Sequence, residues 1–238
     1  MSRCIVVIPT YNECENLPLL IPRVLAQDSE IGVLVVDDAS PDGTGDVADA
    51  LAHDEPRVSV LHREGKHGLG SAYRAGFQHA LEQGAELVVQ MDADFSHPPE
   101  LLPELIAGAE QTGCCMGSRY LKGITVVNWP IERILLSYFG NVYVRRITGM
   151  KLTDTTGGFR CMHRDVLSRI HYQRIHADGY AFQIELNFRL IHFGVDVLEI
   201  PFFFVDRTQG ISKMTPRIGL EALWRVWALR ARGLLGRL

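Results

Sequence analysis

No stretch of this 238-residue chain stays apolar for the roughly 20 residues that a membrane-spanning helix requires. Residence inside a bilayer is therefore excluded, though contact with its surface is not. Five cysteines, at positions 4, 14, 114, 115 and 161, are odd in number and show no Cys-x-x-Cys spacing. That argues against a disulfide framework and a zinc site, and reads them as ordinary buried thiols. The nine histidines contain no His-x-x-x-His pair. Positive charge is short as well. With a formal net charge of −4, nothing global attracts nucleic acid, which is not expected as a partner, and any anion must be met by local arginines. Low-complexity linkers and internal repeats are missing. Met1-Ser2-Arg3 runs straight into an apolar segment broken by Pro9 and Asn12, which leaves no room for a signal peptide, so a cytoplasmic location is expected.

What is present suits one sizeable α/β domain, with a hydrophobic fraction of 47% to build its core. Up to about residue 118, apolar runs near 4–8, 33–37, 57–62, 86–91 and 113–117 alternate with helical patterns near 15–27, 44–53, 70–83 and 98–111. Such alternation predicts right-handed crossovers and a doubly wound, mostly parallel sheet with helices on both faces. Pro98-Pro99-Glu100 marks a first helical turn, with Ser96 or His97 as its cap. After Ser118 the rhythm changes. One long helix is expected from Trp129 to Thr148, beginning near Pro130, then a polar, glycine-rich stretch from Thr153 to Arg160, a helix from Tyr180 to Phe193, a strand from Val195 to Val205, and a polar loop from Arg207 to Pro216.

In open α/β sheets ligands gather at the carboxyl ends of the strands, and that is where the chemistry-bearing residues fall. Val89-Gln90-Met91 ends in Asp92-Ala93-Asp94, two carboxylates able to hold a divalent cation and, through it, a diphosphate; taken alone, the pair can equally mark a solvated strand end or a helix cap. The first strand ends in Pro9-Thr10-Tyr11-Asn12-Glu13, where Tyr11 can stack on a nucleobase and Glu13 accept from a ribose hydroxyl; equally, Asn12 or Glu13 can simply start the next helix. Asp37-Asp38 can read a base edge or favour a helix N-terminus, and Asp42-Gly43 is turn chemistry. Gly65-Lys66-His67-Gly68-Leu69-Gly70 either frees backbone amides and a lysine to approach an anion or, lacking Walker or dinucleotide spacing, is simply a flexible turn, the reading that the motif alone favours. His97 reads as a helix cap or surface residue. Phe182 reads as core, with Gln183 and Glu185 as candidates for a buried polar contact.

Pro-Thr-Tyr-Asn-Glu at 9–13, Val-Asp-Asp-Ala-Ser-Pro-Asp-Gly-Thr at 36–44, Met-Asp-Ala-Asp-Phe-Ser-His-Pro-Pro-Glu at 91–100, Gly-Ser-Arg-Tyr at 117–120 and Gly-Ile-Ser-Lys at 210–213 follow one another in an informative order. The order resembles GT-A glycosyltransferases of family 2, and within them the compact dolichyl-phosphate (polyprenyl-monophosphate) mannose synthases without transmembrane helices. The resemblance spans about residues 4–215. It implies a GT-A type, Rossmann-like fold, in which residues 1–118 bind the nucleotide sugar and 119–215 the acceptor, followed by a C-terminal amphipathic helix at 216–238. It further implies that Pro9, Tyr11, Glu13, Val36, Asp38 and Ala93 line the nucleotide sugar, and that Asp92 and Asp94 hold Mg2+ or Mn2+ and the diphosphate. Arg119, Arg133 and Ser137 then meet the acceptor phosphate, Arg207 and Lys213 the donor, with Asp94, Arg119 and Arg207 closest to the chemistry. GDP-mannose and a polyprenyl phosphate lipid are the implied partners, the enzyme resting peripherally on the inner face of the membrane. Two departures stand out: Ser96 where some relatives have a metal-shell glutamine, and Ala181 where some have a lysine.

Two rivals follow from the same residues. A family 2 enzyme acting on a sugar hydroxyl needs a carboxylate base, for which Asp154, Asp178 and Glu185 are candidates, although the Gln-x-x-Arg-Trp signature of processive polysaccharide synthases is missing. A non-catalytic nucleotide-sugar sensor has no reason to keep both aspartates. At the C-terminus Leu220, Trp224, Trp227, Ala231, Leu234 and Leu238 form an apolar stripe, against a polar face with five arginines and one glutamate from residue 216 on. Such a helix either packs on the domain or lies in a headgroup interface.

Overall fold

The computed structural model describes residues 2–205 and 216–238, with side chains in the second span from residue 224. The expected alternation is present. β1 (Cys4–Thr10), α1 (Leu17–Leu25), β2 (Ile31–Asp37), α2 (Thr44–Asp54), β3 (Val58–His62), α3 (Leu69–Glu82), β4 (Leu87–Gln90), α4 (Leu102–Thr112) and β5 (Gly113–Ser118) follow in order. Next come β6 (Val126–Val127), α5 (Ile131–Thr148), β7 (Arg160–His163), α6 (Arg164–Arg169), α7 (Gly179–His192), β8 (Asp196–Pro201), β9 (Phe204–Val205) and α8 (Pro216–Leu234).

Among the described residues the main sheet has seven strands, in the order β3-β2-β1-β4-β7-β5-β8. All pairings are parallel except those of β7, which runs antiparallel between β4 and β5. Strand periodicity divides the core. Val6, Ile8, Val33 and Val35 face α1, α2 and α4, while Ile5, Val7, Leu34 and Val36 face α3 and α7. Gly76 lets α3 lie directly on the sheet, since a Cβ there would sit 2.3 Å from Val7 Cγ1. A third cluster, Val144, Met150, Ile184, Phe188, Val226, Leu229 and Leu238, binds α5, α7 and α8 together. α7 is consequently buried on every side from Phe182 to Leu190.

Three expectations are corrected. Strand β7 falls at the end of the polar stretch, where no strand was expected; its ladder with Val88 and Val89 outweighs that local composition. The strand expected from Val195 to Val205 is interrupted: β8 ends at Pro201, which has no N–H to continue a ladder, and β9 pairs instead with β6 in a separate two-stranded sheet. Neither Ser96 nor His97 caps the helix near residue 98. Pro98 precedes a short 3-10 turn, Pro99–Leu101, that has no side-chain cap.

Candidate active site

The carboxyl ends of β1, β2, β3 and β4 open on one edge. At β1, Glu13 Oε2 accepts from Asn16 Nδ2 at 2.6 Å, and its backbone N–H donates to Thr44 Oγ1 at 2.9 Å, which ties the first loop to the start of α2. The half-buried Tyr11 ring carries Lys66 Nζ 3.7 Å above its centre, a stacking face already matched to a cation. Asp37 is internal, accepting from Thr10 Oγ1 at 3.1 Å and Ser40 Oγ at 2.5 Å. Asp38 is buried beside Arg63, whose Nη1 donates to Asp38 Oδ1 at 2.6 Å. Burial raises the Asp38 carboxyl above its ordinary value, opposed by Arg63. The side chains of Val36 and Ala93 are buried in the core clusters. Arg63 went unnoticed in the sequence, although it follows β3 as Asp37 ends β2.

Asp92 is pinned twice. Tyr73 Oη donates to Asp92 Oδ1 at 2.7 Å, and the Asp92 backbone N–H donates to His97 Nδ1 at 3.0 Å. His97 is neither cap nor surface. Its ring is buried, stacked on Phe159 with centres 4.7 Å apart, because the turn through Phe95 (φ 60°) folds the chain back beneath Asp92. Burial lowers the His97 pKa, so the ring stays neutral. Asp94 Oδ1 accepts from Ser96 Oγ at 2.6 Å and Ser96 N at 3.1 Å. Ser96 thus braces Asp94 directly.

The donor set suits a divalent cation. Two hard carboxylates stand at one strand end with Asp92 about a third exposed (37%), which is the oxygen chemistry Mg2+ and Mn2+ accept. Among the described residues no group of three His, Cys, Asp or Glu side chains converges on one point. The described residues therefore offer two carboxylates here, fewer than a complete cation shell.

On the other side of His97 the aromatic ring of Phe204 lies 6.4 Å away, and Trp129 packs edge-on to Phe204 at 5.4 Å. This cluster joins the carboxylates to the arginines. Arg133 stacks over Trp129 at 3.9 Å and Arg119 lies 5.7 Å from the same ring. Ser137, one turn further along α5, accepts from Tyr120 Oη at 2.7 Å. Arg119 is not an open phosphate clamp. It is 6% exposed, and Nε and Nη2 grip Asp154 at 2.6 and 2.8 Å. Burial alone would raise Asp154, but the charge and hydrogen bonds of Arg119 outweigh it and hold the carboxyl below its ordinary range. Arg207 and Lys213 lie outside the described residues.

The glycine-rich turn has a different role from the one expected. Asp178 Oδ1 accepts from Gly70 N at 2.7 Å, so a carboxylate from the start of α7 already occupies the N-terminus of α3. A Cβ at Gly68, where φ is +92°, would collide with that carboxylate. Glu185 is buried and bonded to Arg189 at 3.1 Å. Gln183 makes the buried polar contact expected of it, accepting from Arg160 Nη2 at 2.9 Å. Arg160 is fully buried among neutral partners, Asn187, Gln183 and the Gly157 carbonyl, and burial lowers its pKa to about 10.

Topology and carboxylate placement together define the class, a GT-A-type fold with the paired aspartates at the end of its fourth strand. Residues 5–170 match the family model described as glycosyl transferase family 2, and the chain belongs to that family of glycosyltransferases. It is 47% identical to an undecaprenyl-phosphate mannosyltransferase of Micrococcus luteus, over 99% of both chains. It is 46% identical to a polyprenol monophosphomannose synthase of Mycolicibacterium smegmatis, over 97% of this chain and 89% of the other. The fold is shared with glucosyl-3-phosphoglycerate synthase of Mycobacterium tuberculosis, solved with Mn2+, UDP-glucose and phosphoglyceric acid: TM-score 0.66, 19% identity, 98% of this chain and 79% of that one. A Pyrobaculum calidifontis mannosyltransferase solved with GDP-Man and Mn2+ aligns at TM-score 0.58 and 18% identity, over 98% of this chain and 74% of that one.

Proposed function

We propose that this glycosyltransferase moves mannose from GDP-mannose to a polyprenyl (dolichyl-type) monophosphate, inverting the anomeric centre to give polyprenyl-phosphate mannose. The names of its two close relatives support the reading. The observation that carries the acceptor class is the condition of the carboxylates. A sugar hydroxyl must lose a proton as it attacks, yet Asp154 is clamped by Arg119, Asp178 caps α3, and Glu185 is buried against Arg189. A monophosphate is already anionic and needs no base. Its oxygen attacks the anomeric carbon as the bond to the diphosphate breaks, and the residues' task is to hold two anions in line.

Arg133, held flat by Trp129, and Ser137, aimed by Tyr120, are the acceptor-phosphate residues in this reading. Asp92 and Asp94 hold Mg2+ or Mn2+, which when bound neutralises charge developing on the leaving diphosphate. Tyr11, Glu13 and Asp38 receive the nucleoside. Arg119 acts chiefly by fixing the loop at Asp154, and Arg207 and Lys213 complete the donor side.

Contact with a membrane surface is the last part of the reading, with the active site facing the inner leaflet. Among the described residues no helix is long and apolar enough to cross a membrane. Ile131, Leu135 and Phe139 recur every four residues along α5 and are exposed, as are Trp224, Trp227 and Leu234 of the C-terminal stripe. Trp227 Nε1 donates to Tyr143 Oη at 3.1 Å, joining the two helices. Val226 and Leu229 pack inward, so α8 has both a docked and an outward apolar face. Its arginines suit anionic headgroups. The test is transfer of radiolabel from GDP-mannose, in a panel with UDP-glucose and UDP-galactose, to one isoprenoid phosphate or its free alcohol. Label from GDP-mannose in the phosphate is expected; preferential labelling of the alcohol, or from a UDP-sugar, overturns the proposal. In flotation with anionic vesicles, W224D/W227D should remain at the bottom while the unaltered chain floats. Equal flotation would make α8 purely structural.

A further inference from the structure

Tyr73 reaches the Asp92 side chain from the interior of the domain through a hydrogen bond to Oδ1, while the buried His97 stands further off, its Nε2 4.0 Å from Oδ2. Tyr73 lies on α3, one turn beyond Gly70, and is fully buried. Its ring is stacked on Phe182 with centres 6.0 Å apart and planes 7° apart, and it also packs on Phe77 at 5.7 Å. Neither ring leaves it space to turn. The start of α3 is itself set by the Asp178 contact to Gly70, and a Cβ at Gly70 would lie 2.6 Å from the Ala177 carbonyl and 2.8 Å from the Phe182 ring. The glycine-rich turn is thus a socket that lets α3 seat against the start of α7, and Tyr73 is carried to Asp92 by that seating.

We propose that Tyr73 is a positioning residue of the donor-phosphate site: its hydroxyl locks Asp92 Oδ1 so that the remaining edge of the carboxylate is presented in one orientation to the divalent cation. This rests on the reading that Asp92 and Asp94 hold the cation. A carboxylate partly exposed on a strand end would otherwise sample several rotamers, and binding a cation would have to order it. Here the backbone of Asp92 is already held by His97 and its side chain by Tyr73. Partners of this kind behind a metal ligand change affinity by about 10–100-fold when removed.

The test is Mn2+ binding to the full chain in the presence of GDP, followed by electron paramagnetic resonance of the free ion, for the unaltered protein, Y73F, D92N and Y73F/D92N. Y73F keeps the ring stack and removes the hydroxyl alone. It should weaken Mn2+ binding by about 10-fold or more, with GDP binding in the absence of metal unchanged, and Y73F/D92N should bind Mn2+ no more weakly than D92N. A merely structural tyrosine predicts additive losses instead, together with weakened metal-free GDP binding. Y73F binding Mn2+ as the unaltered protein does overturns the role of Tyr73 while leaving Asp92 as a ligand. If the unaltered protein takes up no Mn2+ with GDP, the cation assignment fails and the positioning role with it.

Discussion

Asp154→Asn is the sharpest perturbation the structure offers, because it changes one charge inside a fully buried constellation. Asp154 accepts from Arg119 Nε, Nη2 and backbone N, and from Thr156 N. An amide in its place turns one of those acceptors into a donor facing a guanidinium that is itself only 6% exposed. Breaking a buried ion pair on one side costs about 3–5 kcal/mol, since the remaining charge is shut off from water and the Thr156 hydroxyl it also meets, 2.8 Å from Nη2, is neutral. At about 2–4 °C per kcal/mol for a domain of this size, the melting temperature should drop by roughly 6–20 °C, read by circular dichroism at pH 7. Replacing both partners, Arg119→Met with Asp154→Leu, should recover much of that loss, because an apolar pair of similar volume removes both desolvation penalties. Activity of the double variant then reports what Arg119 contributes beyond stability. The acid limb carries a second signature. Because Asp154 sits below its ordinary range in the folded state, its stabilisation is fully present above the unfolded value of about 4 and is lost as pH falls through the folded one. The unaltered protein should therefore lose more stability on acidification below pH ~4 than D154N does. A D154N melting point within about 2 °C of the unaltered chain at pH 7, less than one kcal/mol on the same scale, would refute the reasoning.

Asp94→Ala should lower turnover by orders of magnitude and leave the melting temperature nearly unchanged, since the side chain stands at a partly exposed strand end; near-normal, metal-dependent activity in that variant would count against its role. Arg133→Gln should raise KM for the polyprenyl phosphate with little effect on KM for GDP-mannose, measured by varying each substrate at saturation of the other; the reverse pattern would move Arg133 to the donor side. Asp42 is brought down to about 2 although burial opposes it, through hydrogen bonds from Thr44 and Cys14. Its contribution is present above the unfolded value of about 4 and fades as pH falls towards 2, so Asp42→Ala should flatten the melting-temperature curve across that window, and an unaltered slope would show that the loop adds nothing.

Local order was legible because strand and helix periodicities are properties of neighbouring residues. The alternation that places β1 to β5 and α1 to α4, the long α5, and the gathering of Tyr11, Asp38, Asp92 and Asp94 at strand ends all follow from short-range pattern and one topological rule. The ordered motifs carried the family in the same way. Tertiary structure alone decided which charges face solvent and which face each other. Arg119 and Asp154 are 35 residues apart, Gly70 and Asp178 are 108 apart, and no periodicity links either pair. His97 follows the Asp-x-Asp turn closely, yet its place beneath Asp92 depends on Phe159 supplying a ring to stack on. Strand β7 becomes a strand through partners on both sides, not through its own residues. A side chain's type sets what it can bind; burial and its distant neighbours set whether that capacity is already satisfied, and those depend on the whole fold.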